Sequence, residues 1–294
     1  LLRVQRLVVL HRQALHLTGL PPLRRPHPGL EETCDLMKKM ARLALATLAV
    51  GVLSLHAISA HAGVIIYGTR VIFPAEQQEV VVRLENKGER PALVQTWLDT
   101  GDVRSTPATA QTPFTLSPPI FRIEPYQQQA LRLRYSGDPS PTDRESLYWL
   151  NVLEVPPVSA GAEQNNQIEL AFRTRLRVFL RPKALPYPVS SAPAKLQWKL
   201  VAQEQGYALQ ATNPTPYHIS LTAVDLLSEG KRFSKAPNKE PNDGLLMPAG
   251  DVKLFALPQL RDRPSGIPKV EFTTVSDYGA RVRHSASLSP SIAR

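Results

Sequence analysis

The chain has 294 residues, with 35 Lys and Arg against 25 Asp and Glu, and a single cysteine, Cys34. Eight of the basic and three of the acidic residues fall in 1–62, which leaves 63–294 at a net +5, too small an excess to point to nucleic acid. Cys34 and five of the seven histidines also precede residue 63, so the remainder has no disulfide or thiol chemistry. With only His218 and His284, it is poorly supplied for a histidine-rich metal site or a Ser/His/Asp triad.

Met37-Lys38-Lys39-Met40-Ala41-Arg42 is a short basic region, and the apolar run from Leu43 to Leu55 is too short for an ordinary spanning helix. Ala60-His61-Ala62 then fits a small-x-small cleavage site. Residues 37–62 therefore read as a secretory signal peptide that starts at Met37 or Met40. Residues 1–36 contain no Met and read as translated upstream sequence outside the working protein. The alternative is a membrane-anchored helix with a cytoplasmic tail; a cleavage site directly after the apolar run favours the signal. The working chain is then 63–294, exported and folded on its core alone, with a length that suits two domains.

Strand candidates follow at short, regular spacing: Val64–Tyr67, Glu79–Glu85, Ala92–Leu98, Ala130–Tyr135, Leu147–Leu153 and Ile168–Leu180. Arg70 lies just beyond the first of them. Turn signals such as Asn86-Lys87-Gly88 and Ser136-Gly137-Asp138-Pro139 separate them, and no stretch has capped helical periodicity. Arg181-Pro182 with Pro186, Pro188 and Pro193 marks a boundary, because proline cannot donate to a strand ladder. A second series follows: Leu196–Val201, Tyr207–Ala211, Ile219–Leu226, Val252–Ala256, Val270–Val275 and Ala280–Leu288, with Ser228–Asn242 as an exposed loop. This pattern predicts an all-β protein of two immunoglobulin-like sandwiches, 63–183 and 184–294, without the Cys–Trp–Cys spacing of antibody domains.

The stretch from Ile168 to Pro182 is the most informative. Apolar side chains occupy 168, 170, 172, 176, 178 and 180, and charged ones 169, 173, 175, 177 and 181, so one face is oily and the other mostly cationic. At roughly 3.3 Å per residue it would span about 50 Å, far longer than a usual strand. A long strand with an exposed apolar face is a template for another chain.

Other constellations have plainer readings. Asp143-Arg144-Glu145 is a solvated turn by pattern alone; Glu145 becomes interesting as a carboxylate that Arg181 and Asp277 could join in a network fixing the orientation of two domains. Arg70 alone is an ordinary surface arginine. If it meets Arg177, two like charges in one cleft call for an anion, and guanidinium groups suit a carboxylate such as a chain terminus. Ser117-Pro118-Pro119 reads as a tight turn that admits a cis peptide, and Asn213-Pro214-Thr215-Pro216-Tyr217 as another turn. Trp97 and Trp149 read as core residues. No phosphate loop, Gly-x-Ser-x-Gly elbow or metal-ligand spacing is present in the sequence.

These segments, in order, resemble the periplasmic chaperones of chaperone–usher pilus assembly. The resemblance is carried by Gly68-Thr69-Arg70-Val71-Ile72-Phe73, Gln95-Thr96-Trp97-Leu98, Ser117-Pro118-Pro119-Ile120-Phe121-Arg122-Ile123-Glu124-Pro125 and Asp143-Arg144-Glu145-Ser146-Leu147-Tyr148-Trp149-Leu150-Asn151-Val152. It continues through Leu176-Arg177-Val178-Phe179-Leu180-Arg181-Pro182, Asn213-Pro214-Thr215-Pro216-Tyr217 and Asp277-Tyr278-Gly279, so that it spans essentially all of 63–288.

The resemblance implies two immunoglobulin-like domains in an L or boomerang and no enzymatic activity. It implies a chaperone that lends its long strand to incomplete pilus subunits and delivers them to an outer-membrane usher, in the periplasm and without a cofactor. Carried over, the pocket-filling residues are Ile168, Leu170 and Phe172. The subunit's terminal carboxylate is anchored by Arg70 and by Arg177, which stands where the family has lysine. The interdomain network falls on Glu145, Arg181 and Asp277. Arg177 is odd-numbered and the pocket-filling residues even, so in a regular strand they face opposite ways; twist or a bulge is one way to reconcile them. The short, cysteine-free loop Val158–Asn166 resembles the short-loop subclass associated with rod-like pili. An open edge also makes self-association of the free form plausible. Two rivals belong to other classes: an exported immunoglobulin-like adhesin or glycan-binding module, and an exported hydrolase that uses paired carboxylates, although no such pair stands out.

Overall fold

The computed structural model describes residues 37, 39–44, 63–137, 140–155, 157, 170–237 and 245–289. Residues 39–44 are helical and exposed, and no helix among the described residues is long and apolar enough to cross a membrane. The expected upstream segment 1–36, the cleavage site Ala60-His61-Ala62, Ile168 and the loop Val158–Asn166 lie outside the described residues.

From residue 63 the chain builds β-sandwiches. In the first, one sheet is fully antiparallel: β1 (Val64–Ile66), β3 (Glu79–Asn86), β7 (Gln128–Tyr135) and β5 (Phe114–Ser117), in that spatial order. The other sheet runs β2 (Arg70–Pro74), β9 (Phe172–Arg181), β8 (Ser146–Val155), β4 (Ala92–Asp99), β6 (Ile120–Ile123), and its β2–β9 pair is parallel. Between β1 and β2 the chain changes sheets through an exposed turn at Gly68, whose φ of 110° a side chain would resist. The Ser117–Pro118 bond is cis.

Alternation places the core. Val82 and Leu84 of β3 and Leu131 and Leu133 of β7 meet Val94 of β4, Leu150 and Val152 of β8, and Leu176, Val178 and Leu180 of β9. Each fully buried side chain of this size stabilises the fold by roughly 1.5–3 kcal/mol. Phe73 of β2 is completely buried, with its ring 5.3 Å from Phe114 in an edge contact, so β2 is stapled to both sheets.

The second sandwich pairs a sheet of β10 (Gln197–Gln203), β11 (Gly206–Thr212) and β15 (Val252–Leu257) with one of β13 (Lys231–Ser234), β12 (Ile219–Ser228), β16 (Lys269–Val275) and β17 (Arg281–Ser287). A two-residue strand, β14 (Leu246–Met247), adds to the start of β12. Trp198 is fully buried at the centre, 5.1 Å from the Phe272 ring and 6.2 Å from Phe255. The Asn213 turn is a buried structural knot: its Nδ2 donates to the carbonyls of Tyr217 (2.8 Å), Met247 (3.1 Å) and Pro248 (2.8 Å). The fold is thus all-β with two immunoglobulin-like sandwiches.

Several expectations need correction. Arg70 lies just beyond the first strand, as expected, but it also opens β2, a strand of its own in the opposite sheet that the sequence reading did not list. Part of the expected loop Ser228–Asn242 folds as β13, which pairs with the end of β12 through a turn at Glu229 and Gly230. The long strand is regular from Phe172 to Arg181, not over the full expected span. No bulge interrupts it: its pairing with β8 runs unbroken from Phe172 opposite Glu154 to Leu180 opposite Ser146.

Trp198→Ala should destabilise the second sandwich by about 3–5 kcal/mol, the usual cost of emptying a buried aromatic site. Urea unfolding followed by circular dichroism, which reports both sandwiches, should then separate into two transitions, with the fluorescence of Trp97 and Trp149 in the first sandwich following only the later one; one unchanged transition would contradict the packing described.

Candidate functional site

The site grows from β9. Its even-numbered residues Leu176, Val178 and Leu180 enter the core, so the odd-numbered Arg173, Arg175, Arg177, Phe179 and Arg181 project from the opposite face of the sheet. Because β2 lies parallel to β9 with Arg70 opposite Arg177, two guanidinium groups become cross-strand neighbours. Strand β2 covers only Arg177–Arg181. Among the described residues no strand pairs with the other edge of Phe172–Leu176, which is bound to β8 alone.

Arg70 faces the second sandwich. Its Nη1 donates to the Val275 carbonyl at 3.1 Å and lies 3.4 Å from Ser220 Oγ, while Arg177 Nη1 is 3.5 Å from the same hydroxyl. The buried Nε of Arg70 has no hydrogen-bond partner among the described residues. Burial pulls its guanidinium below the usual arginine range, and the charges of Asp277 and Glu145 act the other way. An unmet buried donor costs about 1–3 kcal/mol, so an anion here would relieve both penalties. The space is available: a cavity of about 230 Å³ opens beside Arg70, lined also by Phe179, His218, Ser220, Thr274 and His284.

Glu145, Arg181 and Asp277 are brought together. Arg181 Nε donates to Glu145 Oε1 at 2.5 Å, and its Nη1 and Nη2 grip Asp277 Oδ2 and Oδ1 at 2.6 and 3.0 Å. Glu145, just before β8, is buried; its Oε2 accepts from the His218 backbone N–H at 2.8 Å and its own N–H donates to the Pro216 carbonyl at 2.9 Å. One carboxylate of the first sandwich is therefore held by the backbone of the second. Burial opposes the Arg181 charge, but the hydrogen bonds and charges of Asp277 and Glu145 outweigh it and hold the guanidinium above the usual range. Asp277 is presented by a turn that needs glycine at 279: φ is 82°, and a Cβ there would come within 3.0 Å of Thr69 Oγ1.

Leu170 and Phe172, two of the three expected pocket-filling residues, are 62% and 61% exposed, unusually bare for large apolar side chains. Phe172 continues the same face that Leu176, Val178 and Leu180 bury. The parity question therefore closes without a bulge: Arg177 and the apolar residues use opposite faces of one regular strand.

One cluster escaped the sequence reading. Asp99 is 2% exposed and accepts from Arg175 Nη2 (2.7 and 3.0 Å), Asn151 Nδ2 (2.7 Å), Ser105 Oγ (2.8 Å) and the Gly101 N–H (2.6 Å). Arg173 donates to Asn151 Oδ1 at 2.7 Å and to the Val103 carbonyl at 2.7 Å. Trp97 is buried as expected and Trp149, also expected in the core, is only partly buried; both rings lie under the arginines. Arg173 lies over Trp97 at 4.7 Å, and Arg175 and Arg177 lie over Trp149 at 4.8 and 5.2 Å from the ring centre. The signal was the arginine alternation at 173 and 175, unreadable until β9 is set in register against β8 and β4.

Comparison with known proteins agrees with this architecture. Residues 63–186 match the family "Pili and flagellar-assembly chaperone, PapD N-terminal domain", and residues 191–286 match "Pili assembly chaperone PapD, C-terminal domain". The chain is 40% identical over 233 residues to the probable fimbrial chaperone YadV of Escherichia coli K12, covering 78% of this chain and 92% of that protein. It is 35% identical over 251 residues to the chaperone protein FimB/FhaD of Bordetella pertussis, covering 84% and 97%. Among solved structures, the YadV chaperone superposes with a TM-score of 0.65 at 38% identity over 77% of this chain and all of that one. The Pseudomonas aeruginosa CupB2 chaperone gives 0.62 at 36% identity over 76% of this chain and all of that one. A Salmonella enterica structure of the SafA pilin in complex with the SafB chaperone matches at 0.61 and 25% identity, over 79% of this chain and 99% of the matched chain. The proteins of this family are chaperones and not enzymes, which removes the hydrolase reading and disfavours the adhesin. The chain belongs to the PapD-like pilus-assembly chaperones of the chaperone–usher pathway.

Proposed function

We propose that this chaperone works in the periplasm after export, completes pilus subunits by lending them β9, and passes them to an outer-membrane usher. The observation that carries the reading is one strand with an open edge and bare apolar side chains at one end and paired guanidinium groups at the other. Phe172 and Arg177 are about 17 Å apart along it. A subunit strand laid on the Phe172–Leu176 edge gains backbone hydrogen bonds, and Ile168, Leu170 and Phe172 fill the subunit's open core. Its C-terminal carboxylate then meets Arg70 and Arg177. Such a strand runs parallel to β9, in line with β2, and ends where β2 begins. Pilus subunits are the partners supported by the family; the usher and the periplasmic setting follow from the same membership and from the signal peptide expected at 37–62. No cofactor enters this mechanism.

Three tests follow. Arg70→Ala should reduce the subunit recovered with the chaperone from periplasm by at least tenfold, because loss of a charge-assisted hydrogen bond costs about 1.5–3 kcal/mol; undiminished recovery from both Arg70→Ala and Arg177→Ala would remove the anchor. Leu170→Glu should abolish subunit capture and surface pili while leaving the thermal midpoint of the free chaperone unchanged, since Leu170 is exposed; normal piliation would exclude strand donation through this face. Arg181→Ala should cost about 3–5 kcal/mol by stranding the buried Glu145 carboxylate and should broaden the interdomain distance distribution in solution scattering. An unchanged distribution would mean that Glu145, Arg181 and Asp277 do not fix the domains.

A further inference from the structure

Asp99, Trp149, Arg177 and Arg70 form one row across four neighbouring strands: Asp99 pairs with Trp149 between β4 and β8, Trp149 with Arg177 between β8 and β9, and Arg177 with Arg70 between β9 and β2. The proposed anchor uses only the last two members. We propose that Trp149 is a positioning residue for the anion site: its indole holds the Arg177 guanidinium in place, and Asp99 takes the competing charge of Arg175 off that ring. The inference rests on the reading of Arg70 and Arg177 as a carboxylate anchor.

A free arginine samples many rotamers, and that freedom must be lost before it can grip an anion. Trp149 lies beneath two guanidinium groups, Arg175 at 4.8 Å and Arg177 at 5.2 Å from its ring centre. Two cations sharing one ring repel each other. Arg175, however, is paired: its Nη2 donates to both Asp99 oxygens, at 2.7 and 3.0 Å, and its Nε to Asn151 Oδ1 at 3.0 Å. Asp99 is fixed in turn by donors from Asn151, Ser105 and Gly101. The turn that delivers the Gly101 N–H has φ of 124°, a conformation glycine adopts without strain. Arg175 is therefore tied down by Asp99 and Asn151, which leaves the Trp149 ring to orient Arg177 beside Arg70. Arginine at 177, where the resemblance expects lysine, fits the platform, because a planar guanidinium stacks on an indole better than a compact ammonium does.

The test uses the whole processed chaperone and two forms of one short synthetic peptide that alternates apolar and polar residues, one ending in a free carboxylate and one amidated. Wild type should bind the carboxylate form about tenfold more tightly, the scale of one charge-assisted hydrogen bond. Trp149→Leu should cut that preference to about twofold or less while leaving affinity for the amidated form unchanged, and Trp149→Phe should restore it. A merely structural role would weaken both peptides alike. If Trp149→Leu keeps the tenfold preference while Arg70→Ala and Arg177→Ala lose it, the anchor stands and the platform is overturned. If wild type shows no preference, both fall. Should Trp149→Leu fail to fold, nuclear magnetic resonance of the wild type decides. Ring-current displacement of the Arg177 δ-methylene protons, reduced in Trp149→Phe, supports the platform; unshifted protons overturn it.

Discussion

The unbroken register of β9 against β8 is the constraint on which the rest of the molecule depends. A strand has two faces and a period of two, so one shifted residue would send every side chain to the other side. With no shift between Phe172 and Leu180, the even positions must build a core and the odd positions must face away from it. Everything of functional interest is a consequence: the apolar residues left bare where the core face runs on to Phe172, and the four arginines at 173, 175, 177 and 181 on the opposite face.

That polar face would be costly if its charges were left uncompensated. Each arginine has a particular solution. Arg173 and Arg175 spend their donors on Asn151, Asp99, Ser105 and Val103. Arg181 lies between two carboxylates, one from each sandwich. Arg70 is the outlier, with burial working against its charge and, among the described residues, a carbonyl, a distant hydroxyl and the Phe179 ring 5.9 Å away within reach. On the proposed function, this is the point on the face that receives the external anion.

Much of this was legible in the sequence because alternation carries over directly into faces. The strands with clean alternation, such as Glu79–Glu85 and Val270–Val275, were predicted close to their observed bounds. Short strands were missed for a physical reason: Arg70–Pro74, Phe114–Ser117, Ile120–Ile123 and Lys231–Ser234 have four or five residues each, too few for a period to declare itself. Glu145, Arg181 and Asp277 were named as candidates from their charges near the domain boundary and again through a family resemblance; nothing in their spacing says they meet. The Asp99 cluster was invisible because its members come from β4, β8, β9 and the loop between β4 and β5. Trp149 was misread for the same cause, as an aromatic in an apolar strand whose side chain proved to face the arginines.

The parallel strand β2 begins alongside Arg177, and this has a consequence for recognition. On the proposed function, an incoming strand slides along the free edge until its end abuts the first residue of β2. Its phase is thereby set by a hard stop and not by side-chain identity. The chaperone then behaves as a ruler: it measures how far a guest's apolar residues lie from its terminus, in steps of one residue. Guests with unrelated sequences are accepted if that spacing is right, and a single inserted residue turns the wrong face inward.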